Sequence, residues 1–149
     1  MKVAAVILLA SVCAVPAQRA AATSQPEIRS PMSGDRVGKP GDVECEPKEP
    51  CSRIRAEGWV PTGRTPFFVV GPVKASPRKW IQPAVGPVSP NGTFSGLVYL
   101  GESHHGARQW FKLYVYACES PDRFTEGDEL TEVPPDCEVS EPVEVYRER

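Results

Sequence analysis

Residues 109–118 read QWFKLYVYAC. Phe111, Leu113, Val115 and Ala117 fall on one side of an alternation of period two, and Trp110, Lys112, Tyr114 and Tyr116 on the other. Side chains on a strand point alternately to opposite faces, so this run predicts a long strand with an apolar inner face and an aromatic outer one. Working outward, residues 53–60 (RIRAEGWV) alternate in the same way, with Ile54, Ala56, Gly58 and Val60 opposite Arg53, Arg55, Glu57 and Trp59. Residues 93–100 (TFSGLVYL) put Phe94, Val98 and Leu100 on one face. Residues 67–73 (FFVVGPV) are apolar throughout, which fits a short strand covered on both sides.

Turn signals separate these runs. PTGRTP follows the first, and Asn91-Gly92 is the strongest turn dipeptide, since both residues tolerate positive φ. GESHHGAR precedes QWFKLYVYAC. Residues 76–90 (SPRKWIQPAVGPVSP) hold too much proline for a central strand and are expected to cross between sheets as an ordered loop, with Trp80 in a structural role at a sandwich end. Residues 28–31 fit a short first strand, 119–136 a polar, turn-rich excursion, and 141–149 (EPVEVYRER) a closing edge strand. The 17 prolines disfavour helices. The fold class expected is an all-β sandwich of about seven short strands with proline-rich loops.

The N-terminus carries Lys2, an apolar run from Val3 to Val15, and Val15-Pro16-Ala17. That is the pattern of a signal peptide over 1–17, with 18–26 as a flexible lead-in and 27–149 as the folded domain. The apolar run falls short of the ~20 residues that a membrane span needs. Lipid attachment at Cys13 is disfavoured by Val12, where a lipobox has a small residue. With Cys13 removed, Cys45, Cys51, Cys118 and Cys137 remain. Four cysteines in an oxidising compartment allow three pairings, and two local bridges, Cys45–Cys51 and Cys118–Cys137, are favoured over free thiols or a Zn site. The CxxC pairs usual for zinc are missing. The expected location is secreted or periplasmic.

Ile28-Arg29-Ser30-Pro31 through Ser33-Gly34-Asp35 resembles the opening of many bacterial immunoglobulin-like modules, and the layout from Gly58 to Cys118 is similar to theirs. The resemblance implies an immunoglobulin-like sandwich in which the WIQP segment lies between the sheets and the Asn-Gly turn opens the next strand. It implies no activity, because such modules serve in adhesion, carbohydrate binding, protein binding and plain spacing. The cysteines depart from the antibody pattern, since Cys45 and Cys51 precede the second strand.

Charge is nearly balanced, 17 basic against 19 acidic residues, with no basic stripe for nucleic acid. His104 and His105 are the only histidines. Neighbouring histidines on a strand diverge, Glu102-Ser103-His104-His105 has no known ligand spacing, and Ser103 lacks a nucleophile elbow. A hairpin connection is the simpler expectation, and a metal-assisted hydrolase around His104 and His105 the remote alternative. No catalytic residue, metal or cofactor is expected. Asn91-Gly92-Thr93 matches a glycosylation acceptor but is expected to be a turn. The function expected is non-enzymatic binding of an extracytoplasmic protein or cell-surface polymer, with Trp59, Trp110, Tyr114 and Tyr116 as contacts, unless loops cover them. The alternative is a carbohydrate-binding module using the same outward aromatics.

Overall fold

A computed structural model describes residues 25–38, 52–74, 78–101 and 107–148. The residues expected to form the signal peptide, Cys45 and Cys51, and residues 102–106 with both histidines lie outside the described residues. Ten strands occur among the described residues, in this order: β1 Glu27–Ser30, β2 Arg36–Val37, β3 Arg53–Trp59, β4 Thr65–Pro72, β5 Lys79–Ile81, β6 Thr93–Tyr99, β7 Gln109–Cys118, β8 Glu129–Leu130, β9 Cys137–Val139 and β10 Val143–Arg147. One 3-10 turn, Pro121–Arg123, is the sole helical piece among them. They form a three-stranded sheet, β1-β3-β6, and a seven-stranded sheet, β2-β10-β7-β4-β5-β8 with β9 also on β7. The chain is an all-β protein of two packed sheets. The four strands of two or three residues (β2, β5, β8, β9) were too short to display a period, which is why about seven were expected.

The apolar phases that the sequence marks face one another across the sandwich. Ile54, Ala56, Val60, Phe94 and Val98 from the small sheet pack on Phe68, Val70, Phe111, Leu113, Val115, Ala117 and Val145 from the large one. Phe68 and Phe94 meet at 5.2 Å between ring centroids. Each fully buried Val, Leu or Phe stabilises the fold by roughly 1.5–3 kcal/mol relative to exposure. The strand β7 runs antiparallel to β4 along the whole of β4, from Thr65↔Cys118 to Pro72↔Phe111.

The 76–90 segment both crosses and pairs. Lys79–Ile81 adds to β4 as β5. The chain then lies along β6, where Gly86 N–H donates to Ser95 O at 2.8 Å and Gln82 Oε1 accepts from Tyr99 N–H at 2.7 Å. Trp80 does not plug the sandwich: on β5 it stands opposite Val70 with 37% of its surface exposed. The Asn-Gly turn opens β6 as expected. Gly92 has φ +86°, and a Cβ there would stand 2.2 Å from Val60 O.

At the C-terminus, β10 is not an edge strand. It pairs antiparallel with β7 and parallel with β2. Its inward phase is Val143, Val145 and Arg147, so Arg147 is wholly buried and donates to Leu100 O at 2.7 Å. Cys118 and Cys137 are joined by a disulfide across β7 and β9. That bridge closes the base of the 119–136 excursion, which folds over the outer face of the large sheet as a flap.

Candidate functional site

The outer face of β7 presents Trp110, Lys112, Tyr114 and Tyr116 in order, and the environment changes along it. At the far end the flap closes over the strand. Phe67, Val69, Ile81 and Tyr116 form a second buried cluster, with Phe124, Leu130 and Val139 packed on it. Tyr116 has no exposed surface, and its ring lies 5.6 Å from Phe67. Desolvation raises the Tyr116 pKa, with a further push from Tyr114. Tyr116 therefore leaves the set of surface contacts that the alternation suggested. The flap that covers it begins just after the strand ends.

In the middle, Tyr114 is half-buried. Its ring meets Tyr116 edge-on at 6.4 Å, and the Lys79 ammonium sits 4.6 Å from its centroid. Desolvation raises the Tyr114 pKa, Lys112 lowers it, and Glu144 raises it again. Lys112 and Glu144 are cross-strand partners with Nζ and Oε1 3.4 Å apart.

The near end is open. Trp110 is 37% exposed and stands opposite Tyr146 on β10, with ring centroids 5.3 Å apart and planes inclined by 57°. The Arg36 guanidinium of β2 lies 5.2 Å from the Tyr146 ring and pairs with Glu148 at 3.6 Å. Three adjacent strands thus contribute an indole, a phenol and a guanidinium to one patch. Tyr146 and Arg36 were not singled out from the sequence. Glu144 and Tyr146 share a phase opposite Val143 and Val145, so the outward direction of Tyr146 was legible, but its meeting with Trp110 depends on a long-range register.

Trp59 does not join this patch. It belongs to the small sheet, whose outer face looks the opposite way. Its indole N–H donates to Asn91 O at 2.7 Å, which pins the ring against the turn. Among the described residues no group of three or more His, Cys, Asp or Glu is placed to hold a metal ion, and no helix is long and apolar enough to cross a membrane. What the near end offers chemically is aromatic area with a cation at its rim, suited to non-covalent recognition. No protein-family model, curated protein or solved structure matches the chain.

Proposed function

We propose that the chain is a secreted immunoglobulin-like binding module that recognises another protein outside the cytoplasm through Trp110, Tyr146 and Arg36. The observation that carries this is the open aromatic pair with its guanidinium at one end of a sheet face whose other end the flap covers. Trp, Tyr and Arg are the residue types that concentrate binding energy at protein interfaces. The inclined rings share no common plane for a sugar chain to lie along, which favours a protein over a polysaccharide. Tyr114 remains a contact at the margin of the patch.

Support for the immunoglobulin-like class comes from strand order. The first strand is divided between the sheets, β1 pairing with β3 and β2 with β10, while β10-β7-β4-β5 forms the opposing layer. That resembles the division of an immunoglobulin domain into its two layers. The chain departs from antibody domains in its bridge, which links two strands of one sheet. Secretion is supported by the Lys2-led apolar run and by the disulfide itself, since such bonds persist in oxidising compartments.

The test is retention from an envelope extract of the protein's own host on immobilised protein, beside depletion on insoluble polysaccharides including peptidoglycan. We expect one protein to be retained. Trp110→Ala and Tyr146→Ala should each weaken its binding at least tenfold, as for interface anchors worth about 2 kcal/mol. Tyr99→Ser on the opposite sheet serves as the control that keeps it. Depletion on a polymer that Trp110→Ala abolishes would overturn the protein reading in favour of a carbohydrate-binding module.

A further inference from the structure

Beside the aromatic pair, on the same outer face, lies a notch of about 170 Å³ lined by Gly71, Arg78, Lys79, Lys112 and Tyr114. Its shape depends on Gly71. This residue stands opposite Lys112 in the ladder, and a Cβ on it would come within 2.9 Å of Arg78 O and 3.2 Å of Lys79 Cγ. The missing side chain lets β5 lie close over β4, so the Lys79 stem leans across to the Tyr114 ring.

Three cations line this small space. Arg78 pairs with Glu129 and Lys112 with Glu144, each at 3.4 Å. Lys79 has no carboxylate within ion-pairing distance among the described residues. It is held instead by the Tyr114 ring at 4.6 Å and by the Tyr116 hydroxyl at 3.5 Å, long for a hydrogen bond. Glu129 and Glu144 offset Arg78 and Lys112, so the excess charge in this concave place is the ammonium of the partly buried Lys79, fixed over a ring. Such a place attracts an anion, and a carboxylate suits its size.

We infer that the notch receives a single carboxylate from an Asp or Glu side chain of the protein partner, with Lys79 as its principal counter-charge. This rests on the assignment of that face as the binding face. Trp110 and Tyr114 are four residues apart on β7, on the order of 13 Å at strand spacing. The partner then presents an apolar or aromatic group to Trp110 and Tyr146 and an acidic side chain about that far away.

The test uses a probe rather than the partner. Purified protein is titrated with acetyl-Gly-Glu-Gly-amide, its Gln counterpart and inorganic phosphate at matched ionic strength, and backbone amide shifts are followed. The Glu peptide is expected to give saturable shifts at Gly71, Lys79 and Lys112. The Gln peptide should give none. Lys79→Met keeps the stem and removes the charge, and should weaken the response at least tenfold with an otherwise unchanged spectrum. Lys112→Met is the second variant should Lys79→Met unfold, with a weakened response again expected. Equal shifts from both peptides, no saturable shift, or an unaltered response in the folded variant would overturn the inference. Tighter binding of phosphate than of the peptide would overturn the carboxylate assignment. A retained envelope protein with a silent peptide removes the notch alone, whereas a responsive peptide with no retained protein removes the binding-face assignment alone.

Discussion

Trp110 and Tyr116 share one face of one strand, yet one is open and the other has no exposed surface. Their shared direction was written in the alternation of 109–118. Their difference was not, because the cover over Tyr116 comes from Phe124, Leu130 and Val139, residues in a stretch without periodicity. Burial also gives Tyr116 a measurable signature. Its phenol is raised above the ordinary 10.0, first by desolvation and then by Tyr114. The folded protein therefore holds the proton more tightly than the unfolded chain does. The associated stability is fully present below pH 10.0 and is lost as pH rises through the raised folded value. Tyrosinate absorbance should show Tyr116 ionising after an unperturbed tyrosine, and Tyr116→Phe should remove part of the alkaline decline in stability. Ionisation of Tyr116 at or below the ordinary value would contradict its burial.

At the level of the element, β7 is served on one side by β4 and on the other by two short strands in succession, β9 and then β10. The join between them falls at Ser140-Glu141-Pro142, where proline has no N–H to continue the ladder. Ser140 repairs the gap. Its N–H donates to Val115 O at 2.9 Å, and its hydroxyl oxygen accepts from Val115 N–H at 2.9 Å. Ser140→Ala would leave that buried N–H without a partner, at about 1–3 kcal/mol. Chemical denaturation should register the loss, and the Val115 amide should exchange faster than its neighbours on β7. An unchanged midpoint would mean that the hydroxyl is dispensable. The long strands β3, β6 and β7 were legible from their alternation, and β4 from its unbroken apolar run. By contrast, β5 was hidden because it spans three residues among prolines and is defined by pairs with distant residues, Val69 and Val70 of β4 and Glu129 and Leu130 of β8. The inward turn of Arg147 was equally hidden, since the charges of 141–149 read as an exposed edge.

Across the whole molecule, the flap is a second layer fastened by one covalent bond. Cys118 and Cys137 are 19 residues apart, and in the chain-entropy model a loop of that size stabilises by about 3 kcal/mol. Replacing both cysteines by alanine should lower stability by about that amount and expose Tyr116 to solvent, seen as increased quenching of tyrosine fluorescence. Loss of stability with no change in Tyr116 accessibility would show that Phe124, Leu130 and Val139 hold the flap without the bond. The sandwich itself, and the pairing of these two cysteines, were foreseeable from strand phases and local spacing. The placement of Trp59 away from the other aromatics was not, because assigning a strand to a sheet depends on contacts between distant residues. The proline-rich cover along β6 has a consequence for how the protein behaves in a crowd. Pro83, Pro87 and Pro90 cannot donate a backbone hydrogen bond, so the strip that shields this edge offers an incoming chain a ladder with missing rungs. Copies packed closely together therefore meet a poor template for strand-by-strand polymerisation along that edge.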